Sequence, residues 1–263
     1  MKTFLNLVLL LSFTFCVAQS DDKFYMPSKN LKPLAIQNYE EVQTIIEHDT
    51  LHNVFFKPAG KPKATILFFQ GSGGNFSDYQ YIMKPLTEAG YQVLMVQFRG
   101  YGRSSGKPSH ANIASDSQVI FEQLQKRTDV KNLPLLVYGT SIGCQVAVHL
   151  TAQNQTKIKA LILDSGFTSF TDIALASTPP AQHAIIRQYV VSPYAAKEDI
   201  KKIRNVKVLA IHSETDEFVS FHLGKEVFDA ANEPKTFYKY EGKHIEVMKT
   251  NAAEVTFKIN SLL

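Results

Sequence analysis

Gly139-Thr140-Ser141-Ile142-Gly143 sets a hydroxyl that can act as a nucleophile between two residues small enough to let the backbone turn sharply around it. The five residues fall between an apolar run, 133–138, that reads as a strand, and a stretch from Ile142 onward that reads as a helix. A serine on such a strained strand-to-helix turn holds its Oγ above the sheet edge, and bulky neighbours two positions away would collide with the strand or the helix. The helix behind it also aims free N–H groups and the positive end of its dipole at the same place, which favours a developing oxyanion. Ile142 supplies one such N–H. A Gly-Ser-Gly turn can also do no more than cap a helix, and it is the strand-to-helix context that favours the nucleophile.

Serine is a weak nucleophile near neutral pH, so a histidine base and an orienting carboxylate should follow it in the order acid, then histidine. Asp216, in Ser213-Glu214-Thr215-Asp216-Glu217-Phe218-Val219, stands just past a strand ending in Ile211-His212. His244 follows the next strand in Glu241-Gly242-Lys243-His244, on a glycine-containing loop that can carry an imidazole back between Asp216 and Ser141. Asp164, Glu214 and Glu217 are rivals for the acid. His48, His52, His110, His149 and His183 precede the acid, and His212 and His222 flank it too closely; these read as surface or core residues.

A second oxyanion donor is expected in Gln70-Gly71-Ser72-Gly73-Gly74-Asn75, where glycines let the chain turn an N–H inward; Ser72 is the candidate. The same loop fits neither G-x-G-x-x-G nor a phosphate loop ending in Gly-Lys-Ser/Thr, which argues against a nucleotide.

The elements that must position these residues alternate in type. Strands are expected at 53–57, 64–69, 92–98, 133–138, 158–163, 206–212 and 236–240, and helices at about 78–88, 114–126, 142–152 and 222–231, with a last helix from about Glu246. Apolar strands separated by amphipathic stretches indicate a parallel sheet joined by crossover helices, with helices on both faces. The class is α/β, doubly wound. Residues 165–205 break the alternation with Phe167, Phe170, Ile173, Ile185, Ile186 and Tyr189 around Pro179-Pro180, and read as a small helical cap. The plainer alternative is an ordinary crossover helix.

The chain has 263 residues, 44% hydrophobic and 20% charged, enough for one large domain with a buried core. Its net charge of +4 comes from scattered residues, which argues against nucleic acid. Lys2, an apolar run over 4–17 and small Ala18 before polar residues read as a secretory signal peptide over 1–18, leaving a domain over 19–263. The run is shorter than the roughly 20 residues that span a bilayer, so export to a periplasmic or secreted location is expected in preference to a membrane anchor, with no permanent span after cleavage. A lipid on Cys16 is disfavoured by bulky Phe15 beside it. Cys144 is then the one cysteine of the mature chain, so no internal disulfide forms. No zinc spacing, EF-hand or H-E-x-x-H pattern occurs, and neither a metal nor a cofactor is expected.

Gln70 to Asn75, Phe98-Arg99-Gly100-Tyr101-Gly102-Arg103-Ser104-Ser105-Gly106-Lys107-Pro108, the Ser141 turn, Leu163-Asp164-Ser165-Gly166-Phe167-Thr168-Ser169, Asp216-Glu217-Phe218-Val219 and Gly242-Lys243-His244 together resemble the small-capped α/β-hydrolases, over roughly residues 50 to 260. Those families include monoacylglycerol-type lipases and protein-depalmitoylating thioesterases. The resemblance implies an α/β-hydrolase fold and serine hydrolase activity on an acyl ester or thioester, with Ser141, Asp216 and His244 as triad and no cofactor. Two positions depart from it: Gln70 stands where the families have His, and Gln97 where they have an acidic residue. A peptidase for short peptides and a non-catalytic binding protein on the same fold are the competing readings.

Overall fold

A computed structural model of the chain describes residues 21–263. The expected signal peptide and Cys16 lie outside the described residues.

Eight strands form one open sheet: β1 (Tyr39–Ile46), β2 (Asp49–Phe56), β3 (Ala64–Phe69), β4 (Tyr91–Val96), β5 (Leu135–Thr140), β6 (Ala160–Asp164), β7 (Lys207–Ser213) and β8 (Lys235–Tyr240). Their order across the sheet is β1-β2-β4-β3-β5-β6-β7-β8. β2 pairs antiparallel with both β1 and β4, and every pairing from β4 through β8 is parallel. The first parallel strands in the chain therefore lie near the middle, with later ones added outward.

The apolar strands work because successive side chains serve opposite faces. In β3, Leu67 and Phe69 enter one apolar cluster while Ile66 and Phe68 enter the other. The first cluster takes Ile120 and Phe121 of α2 (His110–Lys126) and Val146 and Ala147 of α3 (Gly143–Asn154). The second takes Ile82 and Leu86 of α1 (Gln80–Glu88) and Val255 and Ile259 of α9 (Ala252–Asn260), so helices cover both faces. Each buried Val, Leu, Ile or Phe side chain contributes about 1.5–3 kcal/mol by leaving water.

Between β6 and β7 lie α4 (Phe170–Ala176), α5 (His183–Tyr189) and the short α6 (Ala196–Asp199), with Pro179-Pro180 starting a 3₁₀ turn between the first two. α7 (Phe221–Ala230) follows β7, and α8 (Val247–Thr250) precedes α9.

Three expectations need correction. β2 begins at Asp49 and has a partner, β1, that was not expected: half of β1 faces outward at the sheet edge, with exposed Tyr39 and Ile45, so its apolar pattern is weak. α2 starts at His110, not near residue 114, because Ser109 and Asn112 cap each other reciprocally. The last helix is two, broken at Asn251, whose φ of −128° and ψ of 28° interrupt the turn.

Candidate active site

Ser141 directly follows β5 with φ of +52°, in the left-handed region that costs a side chain energy. Its N–H donates to the Asp164 carbonyl at 2.8 Å, and its own carbonyl accepts the Cys144 N–H at 3.0 Å, so the strained residue is held from both sides. The flanking glycines are required by space. A Cβ on Gly139 would come within 2.5 Å of the Gly143 carbonyl oxygen, and one on Gly143 within 2.6 Å of the Gln70 carbonyl oxygen. α3 then begins at Gly143 with Ile142 as its cap residue.

Asp216 lies in the turn after β7 with its carboxylate shut off from solvent. Oδ1 accepts the N–H groups of Phe218 at 2.9 Å and Val219 at 2.8 Å. Oδ2 meets His244 Nδ1 at 2.7 Å. Burial pushes this carboxyl up, but the hydrogen bond and charge of His244, with the two backbone donors, outweigh it and hold Asp216 below the usual carboxylate range. An ionised Asp216 can only accept, so the proton of the imidazole sits on Nδ1 and Nε2 is left with its lone pair.

His244 is followed by Ile245 at φ of +52°, an unusual conformation for a β-branched residue. The Ile245 N–H donates to Ser165 Oγ at 3.4 Å and its carbonyl accepts the Tyr81 hydroxyl at 3.2 Å. The rival acids are placed elsewhere. Glu217 accepts the backbone N–H of His244 at 3.1 Å, Glu214 pairs with Lys239 at 3.0 Å, and Asp164 is wholly buried, accepting from Tyr138 at 3.3 Å and Ser165 at 3.2 Å. Burial, only partly offset by the charge of His244 and these hydroxyls, pushes the Asp164 carboxyl up to about 7. His212 donates from Nε2 to the Val219 carbonyl at 2.9 Å, bracing the turn that carries Asp216.

Ser141 and His244 line two cavities. One, of about 800 Å³, also takes in Ser72, Ile142 and apolar side chains from α4 and α5, among them Ile173, Ile185 and Ile186. The other, of about 330 Å³, is bounded by the 71–74 loop, Asp78 and Tyr81. Among the described residues, neither the Ser72 nor the Ile142 backbone N–H donates to another protein group. No group of three or more His, Cys, Asp or Glu among the described residues is arranged to hold a metal ion.

Several residues that shape the site carry no local sequence signal. The Tyr79 hydroxyl accepts the Gly71 N–H at 2.9 Å and donates to the Gly73 carbonyl at 3.2 Å. Gln97 Nε2 donates to Gln70 Oε1 at 2.6 Å, while Gln97 Oε1 accepts the Phe76 N–H at 3.1 Å. The two departures from the family pattern are thus one contact, a neutral amide pair in place of a histidine and an acid. The Arg99 guanidinium ties the turn after β4 to α2 and the start of β2, meeting Asp116 at 2.8 and 2.9 Å and Asp49 at 2.6 Å.

Residues 60–191 match the family described as serine aminopeptidase, S33. The chain belongs to that family, and its fold is that of the α/β-hydrolases. It is 36% identical over 163 residues to protein bem46 of Schizosaccharomyces pombe, a match covering 62% of this chain and 54% of that protein. It is 29% identical over 201 residues to the lysophosphatidylserine lipase ABHD12 of Gallus gallus, covering 69% and 51%. The matches thus span about half the length of both relatives. The esterase Pf2001 of Pyrococcus furiosus superposes with a TM-score of 0.72 at 16% identity, covering 91% of this chain and 97% of that one.

Proposed function

We propose that the chain is a serine hydrolase of carboxylic esters or thioesters, working through an acyl-enzyme on Ser141. One observation carries the reading: the strained Ser141 and His244 border the same two cavities, and behind His244 its Nδ1 lies 2.7 Å from Asp216 Oδ2. Ser141 Oγ attacks the acyl carbonyl as His244 Nε2 takes its proton, and the C–O or C–S bond breaks as that proton passes to the leaving group. Water, deprotonated by the same nitrogen, then attacks the acyl-enzyme and releases the acid. The N–H groups of Ile142 and Ser72 take the charge on the carbonyl oxygen. Asp216 keeps the imidazole in the tautomer with Nε2 free.

The larger cavity suits an acyl chain, since its walls are largely apolar and its volume falls in the range of roughly 300–1,000 Å³ typical of small-molecule sites. The smaller one, between Asp78, Tyr81 and the glycine loop, suits a polar leaving group. The lipid ester that the ABHD12 relative is named for points the same way. The family description raises a second reading, release of N-terminal residues from peptides. Such an enzyme needs an acidic group for the substrate ammonium, and the larger cavity has no Asp or Glu in its wall, while Asp78 is already paired with Lys32 at 2.5 Å.

A p-nitrophenyl ester series of rising chain length, run beside aminoacyl p-nitroanilides on the wild type and Ser141→Ala, tests this. Ester turnover that Ser141→Ala abolishes supports the reading, equal rates for both proteins defeat it, and anilide turnover alone favours the peptidase. Export by cleavage near Ala18 belongs to the same proposal, and N-terminal sequencing of the mature protein checks it.

A further inference from the structure

The glycine loop that carries Ser72 has little to stiffen it from within. Gly71, Gly73 and Gly74 lack the side chains that restrict the backbone, so its shape must be imposed by neighbours. Tyr79 ties its two sides together, as described above. Further ties come from the N-terminal segment. Met26 and Pro27 pair in parallel with Gly73 and Gly74. The Met26 N–H donates to the Ser72 carbonyl at 2.8 Å, and the Ser28 N–H to the Gly74 carbonyl at 2.9 Å.

The Ser72 carbonyl also accepts the Tyr101 hydroxyl at 2.5 Å. A carbonyl oxygen has two lone pairs, and here both are taken, one by the N-terminal segment and one by the turn after β4. The segment is itself anchored. Tyr25 Oη and His110 Nδ1 are 2.7 Å apart, Asp21 accepts the His110 N–H at 2.9 Å, and Phe24 meets Phe170 edge to face at 5.7 Å. Phe24 and Met26 also form part of the wall of the larger cavity.

We infer that the segment around Met26 belongs to the catalytic apparatus: Met26 and Tyr101 are positioning residues that fix the Ser72 carbonyl, in the Ser72–Gly73 peptide, and so restrict rotation of the adjoining Gly71–Ser72 peptide, whose N–H faces the oxyanion. The inference rests on Ser141 being the nucleophile and Ser72 an oxyanion donor. It also gives a reason for a short strand outside the main sheet, whose two residues add little buried surface of their own. An oxyanion donor set slightly out of place loses much of its value in the transition state while costing the ground state little.

The test removes each hydrogen bond separately. Met26→Pro deletes the N–H, and the residue already precedes Pro27, which biases it to the extended backbone that proline accepts. Tyr101→Phe deletes the hydroxyl. With p-nitrophenyl acetate, whose acyl group carries only a methyl, each folded variant should lose roughly 10-fold or more in kcat with KM within about 2-fold, since losing an oxyanion donor outright costs ~10²–10³. Affinity for an alkyl boronic acid, which mimics the tetrahedral state, should fall by the same factor, while affinity for the product carboxylate stays unchanged. Wild-type kcat and boronate affinity in either folded variant overturn the inference, and if Met26→Pro fails to fold, Tyr101→Phe decides alone. A wild type whose esterase activity survives Ser141→Ala would instead bring down the reading on which the inference stands.

Discussion

Asp216 Oδ2 and His244 Nδ1 lie 2.7 Å apart although 28 positions separate the two residues in the chain. β7 and β8 are parallel neighbours, so the loops that leave their C-terminal ends emerge side by side, and each loop delivers one partner. Asp216→Asn tests what the contact does. The amide would present a donor or a poorer acceptor to Nδ1 and favour the wrong imidazole tautomer. Ester hydrolysis should fall by on the order of 10⁴ in kcat with little change in melting temperature. A loss below tenfold in steady-state assays would remove Asp216 from the proposed role.

Asp164 should leave a mark on stability and not only on the site. Its carboxyl is pushed up to about 7 by burial, against an ordinary value of 3.8. The unfolded chain releases this proton near 3.8, whereas the folded chain keeps it until about 7. The group's contribution is therefore most favourable below the unfolded value and declines as pH rises to the folded one, levelling off above it. Asp164→Asn cannot ionise. Urea unfolding from pH 4 to 8 should show the wild type losing on the order of 4 kcal/mol relative to the variant across that interval. A constant difference between the two proteins would contradict this.

Gly143 faces carbonyl oxygens of Phe69 and Gln70, at the end of the central strand β3. Those atoms are backbone and cannot swing aside. Gly143→Ala should destabilise the protein by about 3 kcal/mol or more and lower activity together with melting temperature. Thermal unfolding that matches the wild type would show that the strand end yields more easily than its position suggests.

The Gln70–Gln97 pair allows a contrast between two substitutions. Gln97→Leu strands the buried Phe76 N–H and the Gln70 amide, and should cost about 2–4 kcal/mol. Gln97→Glu keeps an acceptor for Phe76, and its second oxygen can take a hydrogen bond from Gln70 Nε2, which has no partner when Gln97 is present. A carboxylate at this buried position is costly, so that variant should stay within about 1 kcal/mol of the wild type only at low pH, where its carboxyl is protonated, and lose stability as pH rises. Denaturant midpoints of the two variants at low pH check the order, and equal losses would contradict it.

What could be read from the residues, and what could not, follows from where the information resides. Ala64–Phe69 is apolar throughout because both of its faces are covered, and its bounds in the chain are those of the structure. Ser141 declares itself through the two glycines that its turn needs. β1 was hidden because an edge strand is patterned by one half-buried face, and Glu40 and Glu41 interrupt the alternation. His110 read equally as a surface or a core residue, and the structure buries it against Phe170, with ring centres 3.5 Å apart, as the first residue of α2. The ties on the glycine loop were unreadable for another reason. Met26, Tyr79 and Tyr101 reach it through a backbone N–H and two hydroxyls, groups whose partners are set by tertiary structure alone.

The most direct measurement is covalent. A fluorophosphonate probe incubated with the wild-type protein, followed by digestion and mass analysis, should place a single adduct on the peptide containing Ser141, and Ser141→Ala should take up none. An unlabelled wild type, or an adduct of equal yield in the alanine variant, would contradict the account.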